Sequence, residues 1–293
     1  MSLADQIESG RLVCPDTKRR LVQAPRSLST DDGSRVFDVI DGVPVLLPRS
    51  HRTRRSGGPG DEVDYHPVDT SGWRFRVDRF FGGMRDHRTA ASEEAFDTFI
   101  ECAGSDRLFL SIGGGPRRRN QALVTLNIAK CDNVDIVGDA HALPYANDSV
   151  DGIECEAVLE HLEHPQTAVA EFYRTLRPGG RVYAITPFLQ KYHGYPGHFQ
   201  NFTLQGHEHL FESAGFAIET SGPCVGPAWA ITDLGIEFVS QLVPLRGLRG
   251  LVILVARCLA IPVRATDRFL NRAPGAVILA STTFVLARKP RAA

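Results

Sequence analysis

The chain has 293 residues, enough for one large core with a small companion unit or for two modest domains. Hydrophobic residues make up 43% and charged residues 23%, the balance of an ordinary globular protein. A formal net charge of -1 removes any overall electrostatic argument for nucleic acid or for an anionic surface as partner.

The opening ten residues have no basic start running into an apolar core, so no secretory signal is expected there. Residues 1–48 read as a compact β-rich unit. Arg11-Leu-Val-Cys14-Pro15 is an apolar strand entering a turn, and Val36 to Pro48 holds two β-branched runs around an Asp41-Gly42 turn. Residues 49–89 are a linker and lead-in, and Ser50 to Gly60, rich in Arg, Ser, Gly and Pro, can bury little.

From residue 90 helices and strands alternate. A helix is expected from Ser92, with acids in its first turn, and β-rich runs lie at 107–112, 123–128, 134–137, 150–155 and 181–186. Helical stretches at 156–163 and 165–176 separate the later ones, and two final strands are expected near 215–221 and 276–287. This order implies an α/β fold with a mostly parallel sheet covered on both faces, its functional residues just beyond the carboxyl ends of the strands.

Each strand end carries a candidate. The first enters Gly113-Gly114-Gly115, where glycine permits a sharp turn and close approach of a ligand. Arg118 stands where a dinucleotide fingerprint needs its third glycine, which argues against NAD or FAD. The span to the next strand is so short that the usual first helix must be abbreviated. Asn127 ends the second strand at a position suited to ribose hydroxyls. Asp139 follows the third, placed to accept from an adenine amine, with the Ala140 amide for a ring nitrogen and Leu143 for a base face; a plain helix N-cap explains Asp139 equally well. Glu156 follows the fourth strand, and Pro178-Gly179-Gly180 ends a helix before the fifth.

Taken together, Gly-Gly-Gly at 113–115, Gly138-Asp-Ala-His-Ala-Leu-Pro144, Val158-Leu-Glu-His-Leu-Glu-His-Pro165 and Leu176-Arg-Pro-Gly-Gly180 resemble the class I methyltransferases of the small-molecule branch, over about residues 105–220. The resemblance implies a seven-stranded Rossmann-like sheet and S-adenosylmethionine as cofactor, becoming S-adenosylhomocysteine. Gly113, Gly114 and Gly115 would take its methionine part, Asn127 its ribose, and Asp139 with Ala140 its adenine, while Glu156 would line the cofactor and substrate. Ser111 and Asn127 stand where the family usually has acids, which leaves two other readings open: a non-methylating use of S-adenosylmethionine (aminocarboxypropyl transfer, or cyclisation releasing methylthioadenosine), or a non-catalytic binding subunit that kept the fold. Leu12-Val-Cys14-Pro15-Asp-Thr17 with Asp41-Gly-Val-Pro-Val-Leu-Leu-Pro48 is similar to the small Trm112 domains that accompany methyltransferases. Thr17 replaces the second cysteine of their metal pair, and one thiolate cannot hold a structural zinc, so a metal-free scaffold or substrate-side wall is expected.

Methyl transfer to a hydroxyl, amine or carbon of a small metabolite asks the protein for alignment and, with a hydroxyl, a base. The aromatic segment Thr186 to Thr203, just after a strand, offers His193 first and His198 second, with simple packing an equal alternative. His193, His198, His207 and His209 match no recurrent metal spacing, His161 and His164 read as structural, and Arg117, Arg118 and Arg119 as solvated. No metal site is expected.

Residues 226–274 form a helical insertion between the last two strands. Its purest apolar run, Leu251 to Ala256, lies between Arg249 and Arg257 and is far short of the ~18 residues of a membrane span. An interfacial helix touching a membrane, a lid over an apolar substrate, or a buried helical pair or homodimer interface would all show this pattern, the last being the plainer account. The six cysteines show no paired spacing, and a cytoplasmic protein with free thiols is expected.

Overall fold

The computed structural model describes residues 1–54, 87–104, 106–114, 118–193 and 197–291. Most of the expected linker, Gly115 and Arg117 therefore lie outside the described residues. Helix α1 (Leu3–Glu8) leads into four short strands, β1 (Leu21–Ala24), β2 (Ser27–Thr30), β3 (Val36–Ile40) and β4 (Val43–Leu46), paired antiparallel in chain order. Asp41 and Gly42 join β3 to β4 at φ 48° and 80°, the two-residue turn whose twist matches a hairpin. The expected strand at Arg11 is reduced to isolated bridges, Leu12 to Tyr145 and Val13 to Arg20. After α2 (Arg49–Arg54) and α3 (Ala90–Ile100) come β5 (Phe109–Ile112), β6 (Leu123–Asn127), β7 (Ile136–Gly138) and β8 (Val150–Glu156). Then follow α4 (Pro165–Thr175), β9 (Leu176–Pro187), α5 (Leu204–Glu212), β10 (Ala217–Val225), α6 (Pro227–Gln241), α7 (Arg246–Arg264), α8 (Asp267–Leu270) and β11 (Thr282–Arg288).

All strands among the described residues join one sheet in the order β1-β2-β3-β4-β7-β6-β5-β8-β9-β11-β10. The expectation of seven strands is corrected to 11, because β4 pairs parallel with β7 through Val45–Val137 and Leu46–Gly138 and adds the N-terminal hairpins to the edge. From β4 to β9 neighbours run parallel, and β11 lies antiparallel between β9 and β10. The chain leaves β5 outward through β6 and β7, then returns to β8 on the other side. Strand order thus reverses between β5 and β8, where an open α/β sheet has its crevice.

Alternation along the strands divides the core. Leu108, Leu110, Ile112, Ile153, Cys155, Val182 and Ala184 face α4 and α5 through Val169, Phe172 and Phe211, and share that cluster with Leu12, Cys14 and Phe37 of the N-terminal unit. Phe109, Tyr183, Ile185 and Phe284 face the other way, onto Phe96 and Phe99 of α3 and Trp229 of α6. With both faces covered, β5 is buried at every position, which is why it reads as an apolar run with only Ser111 polar. No helix is described between Gly113 and β6.

Three element boundaries differ from expectation for local reasons. Helix α3 starts earlier because Thr89 is its cap, its Oγ1 accepting from Ser92 N at 3.2 Å, while the Ser92 hydroxyl bonds Tyr183 in the core at 2.7 Å. The helix expected at 156–163 shrinks to a 3-10 turn at Leu159–His161, since Ala157 takes a left-handed φ of 55°. The last strand is shortened by a 3-10 turn at Ala276–Leu279. Among the described residues no helix is long and apolar enough to cross a membrane.

His207 on α5 is fully buried, with Nδ1 at 3.1 Å from both Thr186 Oγ1 and Thr283 Oγ1. Burial lowers its pKa from 6.5 to about 3. Between those values the unfolded chain binds a proton that the folded chain does not, so stability falls as pH drops from 6.5 towards 3. Denaturant unfolding across this range should show wild type taking up about one more proton on unfolding than His207→Gln. Parallel pH profiles would contradict the assignment.

Candidate active site

Three strand ends stand side by side at the carboxyl edge. Gly113 follows β5, Asn127 closes β6 and Asp139 follows β7, so the outer two are separated by two strand spacings, ~10 Å. Gly113 has φ 73°, and its N–H donates to the Leu126 carbonyl at 2.8 Å. A Cβ there would come within 2.1 Å of Val158 Cγ2, from the turn after β8. A side chain at Gly114 would meet Thr125 at 2.5 Å and Ser111 Oγ at 2.9 Å. The turn at 113–114 is thus wedged over the reversal point, and neither glycine has room for a substituent.

The other expected cofactor residues are partly engaged with the protein. Asn127 Nδ2 donates to the Gly114 carbonyl at 2.9 Å and its Oδ1 accepts from Ala129 N at 3.2 Å, tying the β6 end to the glycine turn. Asp139 Oδ1 accepts from the His141 N–H at 2.9 Å and contacts His141 Nδ1 at 2.8 Å; Oδ2 lies 3.4 Å from His51 Nδ1 of α2. Burial works against the Asp139 charge, but His141 and then His51 outweigh it and hold the carboxyl well below the usual range. The Ala140 N–H donates to none of the described residues. Leu143 is corrected: it is fully buried in the core and has no face to give a base.

Beyond the reversal point a cleft of about 450 Å³ opens at the ends of β8, β9, β10 and β11. Glu156, Thr186, Gln190, Lys191, His193 and Thr282 are among its walls, and none of residues 1–54 lines it. The N-terminal unit, through the pairing of β4 with β7, stands at the Asp139 end instead. Glu156 accepts from Arg88 Nη2 at 2.5 Å, and the Arg88 side chain is 6% exposed. Burial opposes the arginine charge, yet the Glu156 carboxylate prevails and Arg88 is raised further.

His193 lines this cleft. Its Nδ1 donates to the Lys191 carbonyl at 3.0 Å, which leaves Nε2 as the free nitrogen, 3.9 Å from Glu160 Oε1. The Glu160 carboxylate raises the His193 pKa above its ordinary value, against burial. His198 is differently placed: Nδ1 accepts from the His193 N–H at 3.2 Å and Nε2 donates to Asn201 Oδ1 at 2.6 Å. Both of its nitrogens are thus engaged within the protein.

His161, expected to be structural, and Glu160, which the sequence had not singled out, belong to this cluster. The His161 ring lies 5.2 Å from that of His193 and 5.8 Å from that of His198, and Glu160 is buried beneath them. His207 and His209 do not join it; the first is in the core and the second is exposed beside Ser213. Arg118 and Arg119 are not simply solvated: Arg118 pairs with Asp135 at 2.5 Å, and Arg119 stacks 3.4 Å over Phe96 while pairing with Glu93 at 2.8 Å. Glu160 could have been suspected from sequence as an acid at an apolar helical position; Arg88 and His51 carried no such signal.

Residues 118–184 match the family described as a methyltransferase domain. The matched segment runs from just before β6 into β9. A 37.1 kDa protein in transposon TN4556 of Streptomyces fradiae is 38% identical over 66 residues, 22% of this chain and 17% of that one. The ubiquinone/menaquinone biosynthesis C-methyltransferase of Roseobacter denitrificans is 38% identical over 70 residues, 22% of this chain and 28% of that one. The chain thus spans less than a third of the length of these relatives. Among solved structures, phosphoethanolamine N-methyltransferase 2 of Haemonchus contortus in complex with S-adenosyl-L-methionine is 16% identical, with a TM-score of 0.46, over 74% of this chain and 56% of that one.

The crowding at Gly113 generates a stability prediction. Gly113→Ala forces a side chain into a left-handed position already filled by Val158, and should cost ~1–3 kcal/mol by urea denaturation. An unchanged midpoint would show that the turn relaxes freely.

Proposed function

We propose that this protein transfers a methyl group from S-adenosylmethionine to a hydroxyl, amine or carbon of a small molecule seated in the cleft beyond β8 and β9. The observation that carries the reading is the alignment of Gly113-Gly114, Asn127 and Asp139-Ala140 on three adjacent strand ends, next to that cleft. We read residues 90–293 as the catalytic unit and residues 1–48 as a Trm112-like appendage without its zinc cysteines.

The residues present fit the cofactor. Asp139 is ionised, and three of the about four acceptor positions of a carboxylate are taken by His141 and His51, which leaves one for an adenine amine. The Ala140 N–H supports pairing with a ring nitrogen. Asn127, less strong than a carboxylate, retains one N–H and one lone pair for ribose hydroxyls. Gly113, Gly114 and, by sequence, Gly115 are assigned to the methionine part. When bound, S-adenosylmethionine supplies an electrophilic methyl group. The Arg88–Glu156 pair holds the end of β8 against the cleft, and His193 Nε2 is the nitrogen placed to take a proton from the acceptor.

Calorimetric titration tests the cofactor assignment. Wild type should bind S-adenosylmethionine, and Asp139→Ala should bind it ~1–3 kcal/mol more weakly. No binding at millimolar ligand would leave only a scaffold of this fold. Product analysis after turnover should find S-adenosylhomocysteine; methylthioadenosine would reject methylation in favour of another use of the cofactor.

We also assign the 226–274 segment to an anionic membrane surface. Its helices cohere: Asp267 caps α6 by accepting from Ala228 N at 2.8 Å and Trp229 N at 3.0 Å, and Arg264 stacks 3.8 Å from the Trp229 ring. The expected burial of a helical pair is only partial, because Leu248, Leu251, Val255 and Leu259 on α7, with Phe238, Leu242 and Phe269, stay exposed. Helix α7 carries no acid, and although Arg264 is buried against Trp229 and Arg249 lies 3.8 Å from Glu237, the basic sequence of Arg246, Arg249 and Arg257 beside exposed leucines suits an acidic lipid surface better than a second copy. Vesicle co-sedimentation should show binding to anionic vesicles, weaker binding to neutral ones, and loss in Leu251→Glu/Leu259→Glu. Dimerisation in solution without lipid binding would decide for a homodimer interface.

A further inference from the structure

Two imidazoles converge on a carboxylate that the protein leaves unsatisfied. The Glu160 side chain is 1% exposed, and neither of its oxygens has a hydrogen-bond partner among the described residues. A buried carboxylate in that state is strongly unfavourable unless a positive charge joins it. His161 Nδ1 donates to the Gly197 carbonyl and His193 Nδ1 to the Lys191 carbonyl, so both Nε2 lone pairs turn inward. They stand 3.8 Å and 3.9 Å from Glu160 Oε1, too far for hydrogen bonds.

These separations suit three ligands around a common ion. With metal–ligand bonds of ~2.1 Å, neighbouring donors of a tetrahedral site lie ~3.4 Å apart, so the two imidazole–carboxylate separations need shorten by only about half an ångström. The donor atoms of all three residues lie within 4.8 Å of one another. The carbonyls on the two Nδ1–H groups are the partners that fix an imidazole as an Nε2 ligand. Glu160 and His193 also line the cleft, which gives an ion an open side.

We propose that Glu160, His161 and His193 bind one divalent first-row transition-metal ion, of the zinc or cobalt kind, with a coordination position open to the cleft. Two neutral imidazoles and one carboxylate leave such an ion a net positive charge, which answers the unpaired Glu160 directly. If the acceptor sits in this cleft, as the proposed function has it, the ion offers its heteroatom a Lewis-acidic position and His193 serves as a ligand instead of a free base. Ion binding itself does not depend on methyl transfer.

The test uses the full-length protein stripped with chelator and measured without cofactor or acceptor. Co2+ titration followed by visible absorption, and Zn2+ titration by calorimetry, should each reach about one ion per chain and raise the melting temperature. Glu160→Gln, which keeps the shape of the side chain, and His161→Ala should each weaken binding at least ~10-fold and lose the thermal shift, as ligand loss requires. His209→Ala, at an exposed histidine outside the cluster, should behave as wild type. No binding at millimolar Zn2+, or wild-type affinity in both Glu160→Gln and His161→Ala, would overturn the site. Failure of the methyl-transfer assay would not touch it.

Discussion

Everything at the carboxyl edge depends on a steric constraint at Gly113. Its left-handed backbone and its missing Cβ let β5 turn directly beneath Val158 of the β8 side, where any substituent would collide. The two halves of the sheet diverge at this point, so the crevice between them is only as wide as that turn permits. Asn127 reinforces it by gripping the Gly114 carbonyl from the next strand. Ala157, forced to a positive φ, is the matching bend on the opposite wall. Local strain is thus concentrated where the strand order reverses and both walls must be placed.

On either side of this turn the polar chemistry is of opposite kinds. Towards β7 the charges are compensated: Asp139 is held by His141 and His51, and even Asn127 is partly spent on the backbone. Towards β9 compensation is incomplete, because Glu160 is buried without a hydrogen-bond partner beneath His161 and His193. A folded protein that satisfies one side so fully and leaves the other short places its unmet demand in the cleft wall. There the groups that face Glu160 among the described residues are the imidazoles of His161 and His193.

Much of this was legible in the sequence because it follows from local pattern. The mostly apolar run of β5 announced a strand covered on both faces, and Asp41-Gly42 announced a hairpin. What escaped was long-range. Nothing in Val45-Leu46 says that it will pair with Val137-Gly138 and turn an appendage into the edge of the main sheet. The pairing of Arg88 with Glu156 spans 68 positions, and the approach of His193 to Glu160 depends on a loop that returns over a 3-10 turn. His161 was read as packing because an ideal helix through 156–163 would have carried it away; one left-handed residue, Ala157, redirected it.

The N-terminal unit acquires a role from the same geometry. By pairing with β7 it holds the strand end that carries Asp139, and through α2 it brings His51 to within 3.4 Å of that carboxylate. Val13 N donates to the Pro144 carbonyl, Ala146 N to that of Arg11, and the Tyr145 hydroxyl to Gln6, so the loop after Asp139 is anchored on both sides to residues of the first fifteen. A loop anchored in this way cannot relax around a ligand at little cost, and its acceptor geometry is set before anything binds. The unit therefore contributes by rigidity: it braces the Asp139 end of the crevice, while the opposite cleft is left to the groups around Glu160.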